Sequence, residues 1–117
     1  MAKTKVISDA ADLAGRYAYE GLDRDLHEKA RLGILVALAT RADGALFGEI
    51  KQLCSLTDGN LNRHLKVLIE SGLIEVWKGN ENHRSKTLCR ISRAGRERFT
   101  AYLAELEKVL RDVKTAR

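Results

Sequence analysis

The stretch Thr57-Asp58-Gly59-Asn60-Leu61-Asn62-Arg63-His64-Leu65-Lys66-Val67-Leu68-Ile69-Glu70-Ser71-Gly72, followed by Leu73-Ile74-Glu75-Val76-Trp77-Lys78, changes its hydrophobic period partway along. Up to Gly72 the apolar residues recur at helical spacing, and beyond it they alternate as in a strand. Thr57 suits an N-cap because its hydroxyl can accept from a free backbone N–H of the first turn, and Gly72 is the residue type that ends helices. A helix over about 57–71 places Leu61, Leu65, Leu68 and Ile69 on one arc, with Gly59, Asn62, Arg63, Lys66 and Glu70 opposite. One face packs and the other presents amides and cations.

Downstream, residues 73–78 and 87–91 read as an antiparallel pair, with the polar residues 79–86 as a long, mostly basic loop at the tip. Trp77 and Leu88 then pair on the outer face, and Cys89 points inward with Ile91. Ser92 can cap a last helix to about residue 114, whose stripe of Phe99, Tyr102, Leu103, Leu106, Val109, Leu110 and Val113 is long and narrow. Upstream of Thr57, a tight link at Ser55-Leu56 follows a two-turn helix over 48–54, and Ala45-Leu46-Phe47 is a very short strand. Before it, Ala30, Ile34, Ala37 and Leu38, widened by Leu32 and Leu35, predict a helix over about 26–40 that Asp43-Gly44 stops. Ser8 can cap a further helix to about residue 20, ended by Gly21, with a thin face of alanines, Leu13, Tyr17 and Tyr19.

At 117 residues, without proline and with 5% aromatics, the chain is expected to form one mainly helical domain over 1–117 with an aliphatic core. No apolar run is long enough to span a bilayer and no secretory leader opens the chain, so the expected location is the cytoplasm and no membrane partner is expected. Cys54 and Cys89 lack any ligand spacing and are expected as reduced thiols in the core. His27, His64 and His83 lie in different elements. No nucleophile–base pairing, paired-carboxylate motif or phosphate-cradling glycine loop occurs, so no enzyme, metal or cofactor is expected.

The net charge of +5 has a location. Residues 60–98 hold nine Lys/Arg against four Glu, while the rest of the chain balances. A positive field confined to one third of the sequence calls for a polyanionic partner there.

The order of helix, short strand, short helix, tight turn, helix, hairpin and long helix resembles the winged helix-turn-helix regulators of the MarR and ArsR type. Residues 62–68 (Asn-Arg-His-Leu-Lys-Val-Leu) and 70–74 (Glu-Ser-Gly-Leu-Ile) look like the recognition helix and its turn into the first wing strand. Ile91-Ser92-Arg93-Ala94-Gly95 is similar to the exit from the second wing strand, and residues 22–38 resemble the first helix of a small stand-alone subgroup. Two departures stand out. Cys54 is followed by Ser55 and Leu56 rather than by the paired cysteines of metal sensors, and the wing tip reads Asn82-His83-Arg84 in place of the MarR Asp-x-Arg.

The resemblance implies a mainly α (α+β) winged helix-turn-helix with a two-stranded wing, a core over 22–92 and a C-terminal dimerisation helix over 93–114. Its expected partner is double-stranded DNA. In the major groove Asn60 and Asn62 can pair with adenine and Arg63 with guanine, Gly59 allows close approach, and Lys66 meets a phosphate. Thr57 is chiefly a cap with a phosphate contact as its second role, and for His64 a DNA contact and a structural hydrogen bond are both open. Lys78, His83, Arg84 and Lys86 would place the wing on phosphates or in the minor groove. Phe99, Tyr102, Leu103, Leu106, Leu110 and Val113 would pair two chains into a homodimer, setting the reading helices roughly 34 Å apart. The expected function is a sequence-specific transcriptional regulator, a repressor by default, with an unidentified small-molecule effector between dimerisation helices and reading heads. The competing readings are a protein–protein assembly module and RNA binding, the latter short of aromatics for stacking.

Overall fold

The computed structural model describes residues 13–115. Along them run α1 (Lys29–Ala39), β1 (Ala45–Leu46), α2 (Phe47–Cys54), α3 (Asp58–Glu70), β2 (Ile74–Glu81), β3 (Arg84–Ile91) and α4 (Arg93–Thr115). The strands form an antiparallel sheet of order β1-β3-β2. The short strand expected near residues 45–47 is present as Ala45–Leu46, which pairs with Cys89 and Leu88 and so adds a third strand beside the hairpin.

The hairpin itself differs from expectation. Its ladder runs unbroken from Ile74↔Ile91 to Glu81↔Arg84, so most of residues 79–86 are paired strand rather than loop. The turn is only Asn82-His83, both left-handed with φ of 52° and 62°, the geometry of the tight turns that match strand twist. Both faces of the outer ladder are exposed, which removes the apolar alternation that marks a half-buried strand. No glycine marks the turn, because asparagine and histidine can adopt the left-handed region themselves.

At the other end, part of the helix expected over 8–20 lies outside the described residues. Within them, residues 14–17 form a turn and 18–19 are irregular, with left-handed Gly15 (φ 67°) and Tyr19 (φ 46°) in place of the expected helix. The helix expected from residue 26 starts at Lys29, since the Glu28 side chain caps it by accepting from Ala30 N–H at 2.7 Å. Leu26 is fully buried from the preceding turn instead.

One contiguous core joins Ile34, Leu35 and Leu38 of α1, Ile50 of α2, Leu61, Leu65 and Leu68 of α3, Leu73 and Ile74, Cys89 and Ile91, and Phe99 and Tyr102 of α4. Burial pushes the Cys89 thiol up to about 11, and burial also raises that of Cys54, so both stay protonated near neutrality. Phe99 and Tyr102 are 4% and 1% exposed, which corrects their assignment to a partner-facing stripe. Their rings stack 6.2 Å apart and the Tyr102 hydroxyl is hydrogen bonded to His27 Nδ1 at 2.5 Å. Beyond them the stripe does open outward: Leu103, Leu110 and Val113 are exposed, and Leu106 and Val109 are half-buried.

Residues 19–23 run alongside α4 as a polar strap. Tyr19 O–H donates to Asp112 Oδ2 at 2.7 Å, Gly21 N–H to Glu105 Oε2 at 3.3 Å, and Asp23 pairs with Arg98. The three α4 positions are seven apart and so share one face. The Asp112 hydrogen bond raises the Tyr19 phenol to about 12.

The start of α4 is locked to the end of α3. Ser92 N–H donates to Leu73 O at 2.9 Å, Ser92 Oγ donates to Gly72 O at 2.6 Å, and the same oxygen accepts from Gly95 N–H at 2.8 Å. Gly72 takes φ 72°, the left-handed conformation that turns α3 into β2. Gly95 lies so close to Leu73 that a Cβ there would overlap the Leu73 carbonyl oxygen.

Candidate nucleic-acid interface

α3 is held at its N-terminus from two sides. Thr57 Oγ1 accepts from Asn60 N–H at 3.1 Å, as a capping threonine should, and Lys51 of α2 pairs with Asp58 at 2.8 Å. The link from α2 bends at Ser55, whose φ of 53° is left-handed. The buried side chains of α3 are Leu61, His64, Leu65 and Leu68. Ile69, expected on the packed arc, is 46% exposed, and His64 takes the matching place on the opposite flank of that arc.

Thr57, Gly59, Asn60, Asn62, Arg63 and Lys66 are all exposed. A Cβ at Gly59 would meet no atom within 4 Å, so packing inside the chain does not require glycine there. Arg63 Nη2 donates to Asn60 Oδ1 at 3.4 Å, which holds two of the candidate base-reading groups side by side.

His64 is only 4% exposed and faces inward, with Nδ1 3.1 Å from Glu28 Oε2 and 3.4 Å from Arg31 Nη1. Burial pushes its pKa down; the Glu28 carboxylate opposes that, and Arg63 and Arg31 add to it. The neutral imidazole can accept at Nδ1 from Arg31 Nη1 or, as the other tautomer, offer Nδ1–H to the Glu28 carboxylate. The ring is therefore turned toward the Glu28–Arg31 pair and away from the exposed face of α3.

The wing folds back beside α3. Asn62, Lys66 and Glu70 of α3 and Lys78 and Thr87 of the wing line one groove of about 400 Å³, with Phe47, Leu65, Ile69 and Val76 as its apolar lining. Thr87 escaped the sequence reading because it looks like an ordinary strand residue. Its cue is register, since it stands directly across from Lys78. His83 and Arg84 are exposed at the wing tip, some ladder steps beyond Lys78.

Ion pairing sorts the nine cations of residues 60–98. Lys86 pairs with Glu81 at 3.5 Å, Arg90 with Glu75 at 3.7 Å, Arg93 with Glu97 at 3.6 Å, and Arg98 with Asp23. Arg90 also lies 4.8 Å over the Trp77 ring, on the outer face where Trp77 pairs with Leu88 as expected. Arg96 reaches the Ala39 carbonyl at 3.4 Å. Of the nine, Arg63, Lys66, Lys78 and Arg84 have neither a carboxylate nor a backbone-carbonyl partner among the described residues, and all four lie on α3 or the wing.

Among the described residues no cluster of three or more His, Cys, Asp and Glu could hold a metal ion, and no helix is long and apolar enough to cross a membrane.

Comparison with known proteins agrees with this geometry. The model of the winged helix DNA-binding domain family matches residues 30–110. An uncharacterised protein of Methanocaldococcus jannaschii is 34% identical over 80 residues, covering 68% of this chain and 87% of that one. The structure of a transcriptional regulator homologue from Pyrococcus horikoshii OT3 superposes with a TM-score of 0.72 at 32% identity, covering 78% of this chain and 89% of that one. The crystal structure of MarR superposes with a TM-score of 0.63 at 24% identity over 88% of this chain and 78% of its own, a likeness of fold. With a MarR-like arrangement of helices, sheet and wing, the chain belongs to the winged helix DNA-binding domain family.

Proposed function

We propose that this DNA-binding protein is a sequence-specific transcriptional regulator that works as a homodimer and represses by occluding a promoter. In this reading α3 enters the major groove, where Asn60, Asn62 and Arg63 read base edges, and the wing follows the backbone or minor groove with Lys78, His83 and Arg84. The observation that carries it is the placing of charge: of the nine cations in residues 60–98, the four with neither a carboxylate nor a backbone-carbonyl partner among the described residues, Arg63, Lys66, Lys78 and Arg84, lie on α3 and the wing. Lys66 and Lys78 line the same groove and outnumber its one carboxylate, Glu70, which suits a phosphate strand passing along it. Leu103, Leu110 and Val113 support self-association, because exposed aliphatic residues in a row along a helix are an interaction surface.

The test is duplex binding by fluorescence anisotropy at several salt concentrations, with selection from random duplexes alongside. Three phosphate-contacting cations per protomer give a slope of log affinity on log salt of about −5 for the dimer, and selection enriches a palindrome. Leu110→Glu shifts sedimentation from dimer to monomer and weakens binding to the palindrome far more than to a half-site. Weak, salt-insensitive binding with no enriched motif would instead make the domain a protein assembly module.

A further inference from the structure

The recognition face is oriented by a residue that is not on it. α3 rests on Leu61, Leu65 and Leu68, and aliphatic contacts of this kind decide which face is buried without fixing rotation tightly. Among the described residues His64 is the one buried side chain of α3 with polar contacts to another element. It lies next to Arg63 and one turn after Asn60, and its Nδ1 meets Glu28 Oε2 at 3.1 Å. The same carboxylate caps α1 through its other oxygen, accepting from Ala30 N–H at 2.7 Å, and Arg31 closes the cluster at 3.7 Å from Glu28. Glu28 therefore ties the N-terminus of α1 to the middle of α3. Turning a helix of this girth by ~10° moves the outer side chains by roughly 1 Å, enough to spoil a bidentate hydrogen bond to a base.

We propose that Glu28 is a positioning residue for base recognition, setting the rotation of α3 through His64 and so the sequence preference of Asn60, Asn62 and Arg63. The proposal rests on the DNA-reading function above and adds a residue remote from the DNA to it.

Two substitutions separate this role from helix capping. Glu28→Asp keeps the charge and a favoured N-cap, yet shortens the side chain by about 1.5 Å and gives up His64. Glu28→Gln keeps the reach: its amide oxygen can cap Ala30 while its N–H donates to Nδ1 of the other imidazole tautomer. Each variant is measured against the selected duplex, a single-mismatch duplex and a random duplex, with a thermal melt. Glu28→Asp is expected to lower the selected-over-mismatch ratio about tenfold while random-duplex affinity and melting temperature hold, and Glu28→Gln to retain the wild-type ratio. A Glu28→Asp protein with the wild-type ratio, or one that loses all duplexes equally along with stability, would overturn the proposal. If the wild-type protein binds no duplex, the DNA reading fails first and this inference falls with it.

Discussion

Gly95→Ala is expected to destabilise the fold by about 3 kcal/mol, at the upper end of what overpacking by one methyl usually costs. The new Cβ would collide with the Leu73 carbonyl oxygen, and that carbonyl has nowhere to go. It accepts from Ser92 N–H at 2.9 Å, and the Leu73 N–H is bound to Leu68 O at 2.9 Å. Its neighbour Gly72 O is held by Ser92 Oγ at 2.6 Å, and the Leu73 side chain is fully buried. Relief would have to come from lifting the first turn of α4, which breaks the Gly95 N–H to Ser92 Oγ cap at 2.8 Å and unseats Phe99. Urea unfolding monitored through Trp77 should show the loss as a lower midpoint at unchanged slope, and thermal melts a drop of roughly 10–20 °C. Gly59→Ala is the control, because a Cβ there meets nothing and alanine is the better helix former. A Gly95→Ala protein within about 1 kcal/mol of wild type would mean that the helix junction is looser than its hydrogen bonds imply.

The same junction explains much of what could be read in advance. Ile91-Ser92-Arg93-Ala94-Gly95 is legible because its chemistry is local: a capping serine and a glycine three residues later. Likewise α3 announces itself through Thr57, a 3.6-residue period and Gly72, and each of these acts within a turn of its neighbours. Features set by distant partners stayed hidden. The outer wing ladder is solvated on both faces, so nothing in its polarity distinguishes strand from loop. Tyr102 sits on the same stripe as Leu110, and only the position of α1 and residue 27 decides that one is core and the other surface. The strap over 19–23 depends on Arg98, Glu105 and Asp112, more than seventy residues away in sequence. For the site, the exposed α3 residues were readable from the wheel, whereas the pairing of Lys86 with Glu81 and the role of Glu28 needed three dimensions.

Arg63→Ala and Lys78→Ala should weaken DNA binding in different ways. Arg63 is exposed on the face of α3, side by side with Asn60 at 3.4 Å, so its guanidinium is partly ordered before any base is met. A bidentate arginine–guanine contact is worth about 1–3 kcal/mol of discrimination. Arg63→Ala should therefore cost roughly tenfold to a hundredfold on the selected duplex, flatten preference at a single position in each half-site, and leave random-duplex affinity little changed. Lys78 lines the same groove as Lys66 and carries a flexible point charge, the chemistry of phosphate contact rather than base reading. Lys78→Ala should lower affinity for every duplex by the same factor and reduce the salt slope by about 2 per dimer, one released counterion from each protomer. Lys86 looks equivalent in sequence, but Glu81 at 3.5 Å already offsets its charge, so Lys86→Ala should fall well short of Lys78→Ala. The measurement is the full salt titration of each variant on selected and random duplexes. If Arg63→Ala and Lys78→Ala reduced both duplexes equally, α3 would be holding the backbone rather than reading the bases.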